Sequence, residues 1–127
     1  MKISEPTAEL LGMHAGDGTL YRTNTGIVWE LRGSLDEKRF YDHHVKNLLK
    51  KIGYTVSGRF RTGGKNGCYG VRICNLQFAN LLIRAGFTSG TKSSTVRVPK
   101  VIFQANKDLK SAFIRGLFAT DGTVYIS

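Results

Sequence analysis

The alternation of apolar and polar positions lays out the elements in order. Ala8-Glu9-Leu10-Leu11-Gly12-Met13 is apolar with little polar relief. It predicts a largely buried helix over about Pro6–Ala15, with proline in the first turn. Gly12 in its middle costs about 1 kcal/mol relative to alanine, and close approach of another helix is the usual reason for such a residue. Two strands follow, about Thr19–Asn24 and Ile27–Arg32, with a turn near Thr25-Gly26. In the second strand Ile27, Trp29 and Leu31 alternate with Val28, Glu30 and Arg32. The first three are expected in the core and the other three outside. Ser34-Leu35-Asp36-Glu37 is a capping box. It opens a helix to about Ile52, with Tyr41, Val45, Leu48, Leu49 and Ile52 on one side and Gly53 as its stop.

A second hairpin is expected from Tyr54 to Cys74, turning at Gly63-Gly64-Lys65-Asn66-Gly67. Tyr54, Val56 and Phe60 share one parity, and Ser57, Arg59 and Arg61 the other. On the return strand Tyr69, Val71 and Ile73 read as core and Arg72 points away. Asn75 caps a short helix, Leu76–Ala85, which ends at Gly86. After a polar loop, Pro99 bars a central strand from 96–103. A last helix should span about Asp108–Thr120. The order α-ββ-α-ββ-α followed by one more helix is α+β with antiparallel hairpins.

Charge narrows the partners. Lys and Arg number 19 against 9 Asp and Glu, for a net charge of +10. So large an excess on 127 residues favours a polyanion, with nucleic acid first and an anionic membrane second. The basic residues are spread over several elements rather than gathered in one stripe, and no run of about 18 apolar residues exists. A membrane is therefore not expected, and neither is secretion, since Met1-Lys2-Ile3 runs at once into Ser4-Glu5-Pro6. Cys68 and Cys74 fit neither a zinc nor a redox spacing and read as reduced thiols.

The chain also repeats itself. Residues 8–21 read AELLGMHAGDGTLY, and residues 112–125 read AFIRGLFATDGTVY. Seven of the 14 positions are identical at one constant offset of 104, among them Gly12/Gly116, Asp17/Asp121 and Gly18/Gly122. Asp-Gly alone could be a simple turn, but the repeat argues against that. Each copy is an apolar helix with a central glycine, an acid at its C-terminal end and a glycine that lets the chain turn away. Two such helices packed in parallel, Gly12 against Gly116, bring Asp17 and Asp121 together. The acids repel, and both helix dipoles are negative there. A divalent cation relieves this, and Mg²⁺ leaves coordination positions open for phosphate oxygens. With a basic surface around it, the arrangement suggests metal-assisted phosphodiester hydrolysis.

Leu10–Gly18 and Ile114–Gly122 both resemble the LAGLIDADG motif of homing endonucleases, and the element order resembles one repeat of that family. Asp108-Leu-Lys leading into Phe113-Ile-Arg-Gly-Leu-Phe is most similar to the endonuclease domains embedded in inteins. The resemblance implies an αββαββα repeat with a four-stranded antiparallel DNA-binding sheet, and a second motif helix packed on the first. It implies two units, 1–107 as a first repeat and 108–127 as the second motif helix and the start of another repeat whose body, or a second chain as homodimer, lies elsewhere. It implies catalytic acids Asp17 and Asp121, which hold Mg²⁺ with the main-chain carbonyls of Gly16 and Thr120. The partner is double-stranded DNA, entered through the major groove, in a prokaryotic cytoplasm or an organelle. A binding module of the same fold, an RNA maturase or a regulator, is the alternative.

The outward residues Glu30, Arg32, Ser57, Arg59, Arg61 and Arg72 suit a DNA-reading face, joined by Arg22, Asn24 and Lys65. The family often carries a glutamine or lysine after the second strand, where Arg32-Gly33 stands here. Arg32, Arg97 and Lys100 are the candidates for a catalytic basic residue. His14 stands where the family has an apolar residue, so packing is expected of it rather than ligation.

Overall fold

A computed structural model describes residues 2–61, 67–88 and 98–120, with the side chain of Arg61 outside that description. Helix α1 (Glu5–Asp17) is capped by the Ser4 hydroxyl, which accepts from the Thr7 amide at 3.3 Å. It runs without an intervening residue into β1 (Gly18–Thr23), which turns through 24–25 into β2 (Gly26–Gly33). Helix α2 (35–52) opens on the capping box of Ser34 and Glu37, passes through a π-helical stretch at Phe40–Val45 and closes at left-handed Gly53. Strands β3 (Arg59–Arg61) and β4 (Cys68–Ile73) follow, then α3 (Leu76–Ala85), the single turn α4 (Lys100–Phe103) and α5 (Lys107–Thr120).

The four strands form one antiparallel sheet in the order β1-β2-β4-β3. Leu20, Trp29 and Ile73 lie in one cross-strand row and are buried toward the helices. The adjacent row, Thr19, Glu30 and Arg72, belongs to the opposite face. Trp29 and Tyr54 both set their rings edge-on to Phe78 of α3, which ties the sheet to that helix. The fold is α+β with the sheet and paired helices expected of it.

Helices α1 and α5 pack in parallel, and two glycines mark their crossing. A Cβ on Gly12 would stand 2.0 Å from the Phe113 carbonyl oxygen, and one on Gly116 would stand 2.0 Å from that of Glu9. Farther along, the Thr120 hydroxyl lies 3.3 Å from the Met13 carbonyl oxygen. Both helices therefore end at the same pole of the molecule.

Several expectations are corrected. The second hairpin does not begin at Tyr54: 54–58 is irregular and only Arg59–Arg61 pairs as a strand. Phe60 is 58% exposed rather than core, on a short strand at the edge of the sheet. Val28 and Glu30, expected outside, are both buried. Val28 stands opposite Tyr21, and Glu30 is enclosed by polar neighbours of its own face. Gly18 does not need a left-handed backbone, since its φ is −76°. It needs space: a Cβ there would meet the His14 ring nitrogen Nδ1 at 2.5 Å.

Candidate metal centre and nucleic-acid face

Asp17 is the last residue of α1 and is exposed, at the pole where α1 and α5 both end. Gly16 beside it is half-buried. Thr120 closes α5, its hydroxyl 3.0 Å from the Gly116 carbonyl oxygen and 3.3 Å from that of Met13. That side chain caps its own helix and bridges to α1. Asp121 lies outside the described residues. Among the described residues no three His, Cys, Asp or Glu side chains cluster as a metal site. The donors at this pole are the Asp17 carboxylate and the main-chain carbonyl oxygens of the last helical turns. All are hard oxygens, and so fit Mg²⁺ or a similar cation.

The antiparallel register opens at Gly18, opposite Leu31, and Asp17 and Arg32 each adjoin that pair in sequence. Arg32 therefore follows a residue paired with the one that follows the acid. Lys100 is not near it. It begins α4 and lines a groove of about 610 Å³ with Lys2, Arg84 and Leu109, at the end where α1 and α5 start. At 1.5 Å of rise per residue, α1 separates that groove from Asp17 by about 20 Å. Lys100 therefore drops out as a catalytic candidate. Arg97 lies outside the described residues.

Tyr41, which pattern placed only in the core, sits beneath this pole. Burial, with the negative charges of Glu37 and Asp17 nearby, pushes its hydroxyl well above the ordinary tyrosine range. It stays protonated and cannot serve as a base. No helix among the described residues is long and apolar enough to cross a membrane.

On the outer face of the sheet, Arg32, Gly70 and Arg59 form one cross-strand row, and Thr19, Glu30 and Arg72 the next. Glu30 sits among these groups with only 2% of its side chain exposed. Its carboxylate accepts from the Tyr21 hydroxyl, pairs with Arg32 Nε at 3.0 Å and lies 3.8 Å from Arg72 Nε. As a directly contacting reader Glu30 is therefore misplaced: its neighbours cover it. Arg22 is also corrected, since it pairs with Ile27 and so belongs to the helix-facing side, where it is exposed only at the strand's end. Asn24 lies in the β1–β2 turn and Ser57 in the irregular segment before β3, both exposed. Arg61 pairs with Cys68 through its backbone, and Lys65 lies outside the described residues.

Two buried polar groups support this frame. The Trp29 indole donates to His14 Nδ1 at 3.0 Å, and Phe87 stands edge-on to the His14 ring. His14 thus packs and accepts a hydrogen bond; in the neutral ring its proton is then on Nε2. Glu9, the one acid in the apolar run of α1, pairs with His44 Nε2 at 2.5 Å and with Arg115 Nε at 3.3 Å. It joins α1 to both α2 and α5. The signal for Glu9 was present in the sequence, because an acid on a buried face demands partners.

No model of a known protein family matches the chain. Among curated relatives, it is 30% identical over 131 residues to the ribonucleoside-diphosphate reductase NrdEB subunit alpha of Bacillus subtilis, covering 97% of this chain and 12% of that protein. It is 33% identical over 124 residues to the replication factor C small subunit of Methanocaldococcus jannaschii, covering 91% and 7%. It is 30% identical over 128 residues to the tRNA-splicing ligase RtcB of Methanopyrus kandleri, covering 92% and 13%. The chain therefore spans only about a tenth of the length of these relatives. Among solved structures it is similar to mesophilic variants of the homing endonuclease I-DmoI, with a TM-score of 0.60 at 17% identity over 91% of this chain and 60% of that one. It is likewise similar to I-DmoI in complex with DNA and calcium, with a TM-score of 0.57 at 20% identity over 91% and 56%. These likenesses establish the fold, that of a LAGLIDADG homing endonuclease.

Proposed function

We propose that the chain is the first repeat and second motif helix of a two-motif LAGLIDADG endonuclease that hydrolyses double-stranded DNA at a specific site. The observation that carries this is the parallel crossing of α1 and α5 at Gly12 and Gly116, which sets two helix C-termini, each followed or ended by an acid, at one pole beside a basic sheet. Asp17 and Asp121, with the carbonyls of Gly16 and Thr120, hold the cation. When bound there, Mg²⁺ supplies charge neutralisation at the scissile phosphate and an acidified water. Arg32, which follows the partner of Gly18 on β2, donates to a phosphate oxygen. Arg59 and Arg72 enter the major groove with the sheet, since a strand ribbon fits that groove and arginine suits guanine.

The outer side of α5 supports a second body. The repeat offset maps Leu10 onto Ile114 and His14 onto Phe118. Leu10 and His14 are fully buried, whereas Ile114 and Phe118 are 48% and 43% exposed. Trp29 of the sheet and Phe87, just after α3, pack on His14, and an equivalent layer is what the second pair lacks. Further residues of a longer chain, or a second copy, would supply it. The three curated relatives named above bear names with no activity in common, yet each matches over nearly all of this chain. That supports a module inserted into unrelated host proteins, as an intein or an intron-encoded enzyme is.

The test is binding and cleavage of a randomised duplex library with Mn²⁺ or Mg²⁺, by the chain alone and joined to a second ββαββα body. We expect weak binding by the chain alone and cleavage only by the joined form. Preference for structured RNA over duplex DNA would overturn the endonuclease in favour of a maturase.

A further inference from the structure

Glu30 is the group on the sheet face that the function above leaves unused. It is an acid at the centre of a surface proposed to meet a polyanion, and a carboxylate facing phosphate costs affinity. Yet it is 2% exposed, so it meets no ligand directly. A buried carboxylate persists only when paired, and here its partners are the functional groups themselves. Arg32 and Arg72, 45% and 29% exposed, both approach it through Nε. Contact through Nε uses one of the five N–H donors of a guanidinium. The Nη edge is the one that matches the paired acceptors of guanine or of a phosphate.

The surroundings are consistent with this. The Tyr21 hydroxyl donates to the same carboxylate. Arg72 Nε is buried without a hydrogen bond, its distance to Glu30 Oε1 being 3.8 Å. Gly70, between Arg32 and Arg59, cannot carry a side chain, because a Cβ would stand 2.0 Å from the Leu31 carbonyl oxygen. The depression lined by Glu30, Arg32, Arg59, Gly70 and Arg72 thus keeps an open floor with guanidiniums around one acid. Three cations against one anion leave the cluster net positive.

We propose that Glu30 is a positioning residue that holds Arg32 and Arg72 in place, so that their Nη edges are fixed before a duplex arrives and sequence choice depends on it. This rests on the DNA-binding reading of the sheet. Without the carboxylate the guanidiniums repel one another and sample solvent. They can still find phosphates, but no longer a fixed pair of base acceptors.

The experiment compares the full chain with Glu30→Gln, scoring selection from a randomised duplex library, salt dependence of binding, and the Nε–H resonances of Arg32 and Arg72 without DNA. We expect the variant's discrimination between best and random sequence to fall by roughly ten-fold, as for loss of one bidentate contact. Affinity for random duplex should be kept or raised, with a log–log salt slope steeper by about one unit. The Nε–H signals should lose their protection from exchange. If Glu30→Gln does not fold, Arg72→Lys, which keeps the charge and loses the fork, should flatten the preference while the salt slope stays. Unchanged preference or unchanged Nε–H protection in Glu30→Gln overturns the proposal, as does loss confined to one C·G position, which would make Glu30 a direct reader. A wild-type chain that binds no duplex overturns the DNA reading and this proposal with it, whereas wild-type binding with unaltered variant preference overturns the proposal alone.

Discussion

Gly12 and Phe113 meet with no room for a methyl group between them: a Cβ on Gly12 would lie 2.0 Å from the Phe113 carbonyl oxygen. The obstruction is backbone on a packed helix, which cannot swing aside as a side chain can. Gly12→Ala should therefore destabilise the chain by at least about 1–3 kcal/mol, the usual cost of overpacking, despite alanine's better helix propensity. Gly116→Ala should behave alike, since its Cβ would lie 2.0 Å from the Glu9 carbonyl oxygen. Chemical denaturation of each variant measures this, and an unchanged midpoint would refute the tight crossing.

Asp17→Asn with Asp121→Asn should abolish divalent cation binding and leave the fold intact or slightly steadier. An acid at a helix C-terminus opposes the dipole by about 0.3–1 kcal/mol, so the sign of the Asp17 change is stabilising. Calorimetric titration with Mn²⁺ beside a thermal melt checks both halves. Unfolding of the double variant would make the acids structural.

Trp29→Phe removes the indole donor from His14 Nδ1. Losing the donor to a buried acceptor costs about 1–3 kcal/mol, beyond the small change in packing. His14→Leu in the same background should recover part of that loss, and a double-mutant cycle in urea reads the coupling directly.

Sequence pattern revealed the helix pairing and most of the sheet, because both rest on local periodicity and on one long repeat. Trp29 and Leu31 alternate with Glu30 and Arg32, and the Asn75 and Gly86 caps bound α3 as their chemistry requires. Glu30 was misjudged for a physical reason. Its burial comes from Tyr21, Arg32 and Arg72, and the contact with Arg72 depends on the register of β2 with β4, which alternation within one strand cannot supply. Lys100 was misjudged because where α4 lands depends on the path of the chain after α3. Tyr41 was legible as core, but not as a neighbour of Asp17, since the two meet only through the packing of α2.

Asp42 predicts a pH response. A hydrogen bond from Lys38 and another from the Tyr69 hydroxyl hold its carboxyl below the ordinary range. A lowered folded pKa gives stability that is present above the unfolded value, about 3.9, and lost as pH falls through the lower folded one. Asp42→Asn should therefore weaken the α2–β4 tether at neutral pH, and the difference from wild type should shrink with acidification below about pH 4. Melting curves across that range would show it; a gap independent of pH would not fit.

Ile114→Asn with Phe118→Asn should leave the melting temperature of the chain alone near wild type, since both side chains are half exposed. If a second copy covers them, the double variant should shift a dimer to monomer in sedimentation. A wild-type chain that sediments as a clean monomer rules out the homodimer.

The absence of any loop between α1 and β1 has a mechanical consequence. Asp17 passes directly into the first strand of the sheet at Gly18, where His14 leaves no room for a side chain. Whatever surface the sheet grips fixes the carboxylate in the same act, at an offset that side-chain substitutions on the sheet cannot change. On the endonuclease function proposed above, a redesigned binding face would alter where along a duplex the protein settles, and the cut would move with it as one piece.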